Sequence, residues 1–210
     1  MKRSAAGRKP PVDAAPAATG AEQNLGEIVR RLRTAYGLSV RTLARRAGFS
    51  PSFISQVEHN QASPSIASLQ RLADALRVSL GDFFRDPVGG ARPVTRATRR
   101  RRLTSWWSRA RIEALSPMGA ARSFEAVMVT LGAGGSSGKR PHAHAGQALA
   151  IVFDGAVRLT LGAEVLQLVA GDAVSLDPRT PHLWENPGRK PVRLVLVSTR
   201  FASDLKTGPS

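Results

Sequence analysis

The chain has no cysteine among its 210 residues and only one tyrosine. The missing thiols exclude disulfides and thiolate metal sites, and nothing points to an oxidising compartment. Acidic residues are scarce, 15 against 31 lysines and arginines, which leaves a net charge of +16. No apolar run reaches membrane-spanning length, and the N-terminal residues hold no signal-type hydrophobic stretch. A cytoplasmic protein with no membrane partner is therefore expected. The length allows one or two domains, and no internal repeat is visible.

The charge is unevenly spread. Residues 1–85 carry +7, residues 86–112 another +7, and residues 113–210 only +2. A polyanionic partner for the N-terminal half and the segment after it explains this asymmetry, because each phosphate neutralised releases counterion. Arg99 to Arg102 form a four-arginine run that either touches DNA or serves as a solvated linker. Residues 1–23, rich in Ala, Pro, Gly and basic groups, read as a disordered basic tail.

Residues 24–85 read as five short helices. Leu25, Ile28, Val29, Leu32 and Tyr36 recur at helical spacing before Gly37. Val40, Leu43, Ala44 and Ala47 do so before Gly48, which tolerates the left-handed conformation beyond a helix end. Ser50 is a good N-cap, and Pro51 follows at the first helical position, where its missing N–H costs nothing. The short helix that begins there buries Ile54 and Val57 and keeps Ser52, Ser55 and Gln56 on another face. Ser65 caps a fourth helix carrying Ile66, Leu69, Leu72, Ala73 and Leu76, and Ser79 with Asp82 forms a capping-box variant ahead of Phe83 and Phe84. Two short helices joined through a glycine turn can present the second one to a major groove. The same spacing also suits two ordinary helices of a small all-α domain.

The motifs LSVRTLARRAG, FSPSFISQVEHN, SPSIASLQRLADAL and VSLGDFF decide between these. As a set they resemble the lambda-repressor-like, or XRE-type, helix-turn-helix regulators. The resemblance implies binding of a double-stranded DNA operator through the helix starting at Pro51. Pro51, Ser52 and Gln56 match the family's base-facing positions, and Ser39, Arg41, Ser50 and Asn60 match positions near phosphate. Arg33 and Glu58 match a pair tying the first helix to the third. Glutamine can read adenine, whereas serine and proline discriminate poorly, so the operator sequence stays open.

Residues 86–109 read as a basic linker; Trp106 and Trp107 lie next to its arginine run, and one of them is expected to pack where the domains meet. Beyond it the pattern turns to short strands: 111–115, 125–130, 148–153, 157–161, 164–168, 173–176, 182–185 and 192–199. Asp154-Gly155, Leu161-Gly162 and Gly171-Asp172 supply turns. Many short strands at this spacing argue a sandwich or barrel over residues 110–201, followed by a C-terminal tail, 202–210. Strands such as LAIVF and RLVLVS are apolar on both faces, so one face can meet a partner subunit, and a homodimer is expected.

Three of the four histidines lie in this half. His142 and His144 form His-x-His, which on a strand points both rings one way, and His182 could complete a facial metal site for Zn²⁺, Fe²⁺ or Ni²⁺. PHAHAGQALAIVFDG and GDAVSLDPRTPHLWEN resemble the two motifs of the cupin family. At the family's carboxylate ligand position, seven residues before Gly155, this chain has Ala148, with only Gln147 adjacent. The imidazoles can instead hydrogen-bond a small molecule. His142, His144, Gln147, His182 and Trp184 are the candidate ligand-binding residues, while Ala148 and Ala150 leave room for a guest.

The expected fold is thus an α domain followed by all-β: a helix-turn-helix domain, then a cupin jelly-roll barrel. The expected function is a transcription regulator, a repressor, whose operator affinity responds to a small-molecule effector in the barrel. No catalytic residue is assigned. The rival readings are a metal-dependent cupin oxygenase or isomerase fused to a DNA-binding domain, and an architectural DNA binder whose barrel only dimerises it.

Overall fold

The computed structural model describes residues 24–85, 93–116, 123–144, 146–177 and 179–199. Both expected tails, 1–23 and 202–210, and the first part of the expected linker lie outside these residues.

The N-terminal half is built from α1 (Leu25–Ala35), α2 (Val40–Ala47), α3 (Pro51–Glu58) and α4 (Ile66–Leu76). Each starts at a side-chain cap. Asn24, Ser39, Ser50 and Ser65 accept from the backbone N–H three residues on, each such cap worth about 1 kcal/mol. α2 ends at Gly48 in the left-handed conformation, φ 65°. The fifth expected helix is a 3-10 turn, Leu80–Phe84, rather than an α-helix. The Asp82 carboxylate accepts from the Ser79 N–H and hydroxyl at its start. Ile28, Val29, Leu43, Ile54, Leu72 and Phe83 are buried together between these elements.

The C-terminal half is a two-sheet antiparallel sandwich. Its strands are β1 (Arg102–Ser105), β2 (Ala110–Ala114), β3 (Phe124–Leu131), β4 (Ala148–Asp154), β5 (Ala156–Leu161), β6 (Glu164–Val169), β7 (Ala173–Leu176), β8 (His182–Glu185) and β9 (Val192–Thr199). One sheet has the order β1-β2-β3-β9-β4-β7 and the other β6-β5-β8. Val127, Val129, Ala150, Val152, Leu159 and Leu194 fill the space between them.

The linker expectation needs correcting at its end, since β1 lies inside residues 86–109. Leu103 and Ser105 alternate inward and are buried, and they pair with Ile112 and Ala110 of β2. Arginines on both sides of that alternation hid it in the sequence. Trp106 and Trp107 occupy the turn between β1 and β2, and both are exposed. Trp107 lies under the Lys139 ammonium, 5.2 Å from ring centre, instead of packing between domains.

Gly26 shows how tightly α1 is set against α3. A Cβ there would stand 2.6 Å from the carbonyl oxygens of both Val57 and Glu58. Alanine gains about 1 kcal/mol in helix propensity, but overpacking against backbone costs about 1–3 kcal/mol. Gly26→Ala is therefore expected to lower the thermal midpoint of the helical half. An unchanged or raised midpoint in a calorimetric scan would contradict this packing.

Candidate nucleic-acid interface and interdomain cavity

α3 has one face buried through Ile54 and Val57 and the other open to solvent through Pro51, Ser52 and Gln56. Ser55 is half-buried, and its carbonyl accepts from the His59 ring. The hydroxyls of Ser50 and Ser52 lie 2.9 Å apart at the start of the helix. Ser39 and Arg41 are exposed at the start of α2, whose last turn adds Arg45 and Arg46. The first turns of α2 and α3 also leave backbone N–H groups that can meet an anion.

Two contacts fix α3 in place. Arg33 on α1 donates from Nε and Nη2 to the two oxygens of Glu58, at 2.5 and 3.0 Å, and from Nη1 to the Leu38 carbonyl at 2.7 Å. That carboxylate holds the Arg33 guanidinium in its charged form, above its usual range, against the opposing pull of burial. Asn60, with φ 57°, receives the Gly26 N–H and donates to Asn24. Its side chain is thereby committed to the start of α1, next to the exposed face and not aimed out from it.

α4 faces two ways. Leu69, Leu72 and Leu76 are buried in the helical core, while Ile66, Gln70 and Ala73, at helical spacing, line a cavity of about 100 Å³ between the two halves. The Ala67 N–H donates to the Ser137 carbonyl of the barrel half. The opposite walls come from β3, β4, β7, β8 and β9 through residues such as Val127, Ala148, Leu176, Trp184 and Leu194. Glu125 of β3, 4% exposed, lines it as well. Its carboxylate accepts from the Ser79 hydroxyl at 2.6 Å and the Gly81 N–H at 3.0 Å, joining the barrel to the 3-10 turn. A Cβ on Gly81 would stand 2.5 Å from that carboxylate, so a larger residue there would displace the Glu125 side chain.

Three imidazoles also line the cavity. His142 and His182 exchange two backbone hydrogen bonds, and their ring centres are 5.0 Å apart; His144 stands 5.1 Å from His182. Nε2 of His142 faces Oε1 of Gln70 on α4. Burial pushes His142 down to about 4, helped by the neighbouring His182 and His144 rings and by Arg71. Burial also lowers His182, against the hydrogen bond to the Thr180 carbonyl that favours its charged form. Both rings are neutral near pH 7. With Oε1 of Gln70 as acceptor, His142 carries its proton on Nε2.

Residues 29–83 match the helix-turn-helix family HTH_3, and residues 127–198 match the cupin domain family Cupin_2. The chain belongs to the XRE-type helix-turn-helix regulators with a C-terminal cupin domain. The HTH-type transcriptional regulator PuuR of Escherichia coli is 25% identical over 174 residues, covering 83% of this chain and 94% of PuuR. The HTH-type transcriptional regulator SutR of the same organism is 26% identical over 168 residues, covering 80% and 90%. The crystal structure of an HTH_3 family transcriptional regulator from Vibrio cholerae shares the fold, with TM-score 0.65 at 21% identity, covering 84% of this chain and 95% of that one.

The cupin fold raises the question of a metal, and the donors present do not fit one. Among the described residues no three His, Cys, Asp or Glu side chains are arranged to hold an ion. Nε2 of His142 is turned to Gln70, and Ala148 lines the cavity where the family has a carboxylate. The regulator thus brings His142, His144, His182 and Trp184 to one cavity, while Gln147 is exposed outside it. Sequence reasoning missed Gln70 and Glu125. An acidic residue inside the apolar run FEAVMVTL was the one available signal for Glu125, and Gln70 required knowing which face of α4 meets the barrel.

Removing Arg33 leaves the Glu58 carboxylate, 5% exposed, without its cation. Arg33→Ala is expected to cost about 3–5 kcal/mol in urea unfolding of the helical half. A loss below about 1 kcal/mol, the worth of an exposed pair, would contradict the assignment.

Proposed function

We propose that this regulator is a cytoplasmic homodimeric repressor that reads a pseudo-palindromic operator through α3 and changes its grip when a small molecule fills the interdomain cavity. The observation that carries the reading is the composition of the cavity wall: α4 and the 3-10 turn of the DNA-binding half form one side of it. A guest there differs in its contacts between any two arrangements of the domains, which is what a ligand needs in order to shift an equilibrium. Ser52 and Gln56 are the base-reading candidates, with Ser55 at their margin, and Ser39, Arg41 and Ser50 are the phosphate-side candidates. Asn60 serves the site by holding the start of α1. Exposed Leu149, Phe153, Val165 and Val169 supply apolar surface for a second copy. In such a dimer the two α3 helices occupy half-sites about one helical turn apart or a multiple of it.

Operator titrations test this. Gln56→Ala is expected to cost about 1–3 kcal/mol and relax preference at one base pair. Arg41→Ala is expected to weaken all sequences alike and reduce the salt slope by about one. Unchanged affinity and unchanged base preference in both Gln56→Ala and Ser52→Ala would overturn the assignment of α3.

A further inference from the structure

Two buried polar atoms belonging to cavity-lining residues have no hydrogen-bond partner. Trp184 is 3% exposed, and its indole N–H meets no acceptor. Nδ1 of His142 meets no donor. In a neutral ring whose Nε2–H points at Gln70, that nitrogen offers a lone pair. An unmet buried donor and an unmet buried acceptor are both costly and call for a complementary group. Apolar surface from Val127, Leu176, Leu194 and Leu196 makes up much of the remaining wall.

We propose that the guest is a small neutral molecule with an apolar body and a head offering one hydrogen-bond donor and one acceptor, as a carboxamide or an alcohol does, and that Gln70 reports its presence to the DNA-binding half. This rests on the effector reading above. An ammonium head brings donors only and leaves the Trp184 N–H unmet. A carboxylate head brings acceptors only and leaves His142 Nδ1 unmet. A cavity of about 100 Å³ suits a compact guest, since apolar cavities on the order of 150 Å³ accept benzene.

Gln70 connects this head to α3 through a short chain of contacts. It meets Nε2 of His142 directly. Its neighbour Arg71 donates to the Gly48 carbonyl at 2.8 Å and lies 4.2 Å over the Phe49 ring, within the turn that joins α2 to α3. Phe49 in turn packs on Phe53 of α3, ring centres 4.7 Å apart. A head that reorients the His142 ring changes how Gln70 is anchored, and α4 carries the change to the turn before the recognition helix.

The test uses the ¹⁵N-labelled full chain with four probes of equal bulk: isobutyramide, isobutanol, isobutylammonium and isobutyrate. The Trp184 indole signal is assigned through Trp184→Phe. Isobutyramide and isobutanol are expected to move that signal saturably, while the two ions leave it in place and the Trp106 and Trp107 signals stay fixed. Equal response to either ion, or no response to any of the four, overturns the guest class. In a second arm, on a duplex selected from random sequence by the full chain, isobutyramide is expected to change the Kd of the unmutated protein by about fivefold or more. Gln70→Leu is expected to keep the Trp184 shift and lose that change. A variant that retains the change, or loses the Trp184 shift as well, overturns the role of Gln70. A saturating shift with no change in DNA affinity sinks the effector reading and leaves the guest class standing.

Discussion

Helix α4 is shared by two cores, and the rest of the molecule is arranged around that fact. Its leucines, Leu69, Leu72 and Leu76, belong to the helical core, each worth about 1.5–3 kcal/mol when fully buried. On its other side Ile66, Gln70 and Ala73 face the cavity beside the barrel. Glu125 closes the joint by placing a buried carboxylate on the Ser79 hydroxyl and the Gly81 N–H. Parting the halves would break both of these hydrogen bonds across the joint. The joint is thus specific as well as apolar.

Charge and packing divide the labour between the halves. Residues 1–112 carry nearly all of the net positive charge, in keeping with a polyanion as partner. The cavity, in contrast, is lined by three imidazoles, one glutamine, a few hydroxyls and apolar walls, with the Asp74 and Glu125 carboxylates beside the DNA-binding half. The surface facing DNA depends on long-range attraction and open side chains. The cavity depends on a few buried donors and acceptors, where a single unmet atom matters.

What could be read from the sequence was whatever is decided locally. Ser39, Ser50 and Ser65 cap their helices, and Gly48 closes α2, because caps and turns depend on a few neighbouring residues. Strands over 173–176, 182–185 and 192–199 fall at the expected positions, since apolar alternation against turn residues marks them. β1 was hidden because arginines flank its single buried leucine. The fifth helix is a 3-10 turn of five residues, Leu80–Phe84, and its capping box marked where it starts but not which helix type it forms. Glu125 and Gln70 were out of reach for a different reason. Each acts on a residue more than 40 positions away, so only the folded arrangement shows its partner. The imidazoles illustrate the boundary between the two cases: the spacing brought them together, but the orientation of His142 follows from Gln70 on another domain.

The proposed coupling runs from the recognition helix through α4 to the cavity wall, so DNA bound at one end is felt at the other. Hydrogen–deuterium exchange of the full chain, free and bound to its selected duplex, tests this most directly. Protection is expected to extend beyond α2 and α3 to the amides of α4, to Ala67 where it bonds Ser137, and to the His142–His182 bridge. Protection confined to α2 and α3, with the cavity wall exchanging as in the free protein, would contradict it.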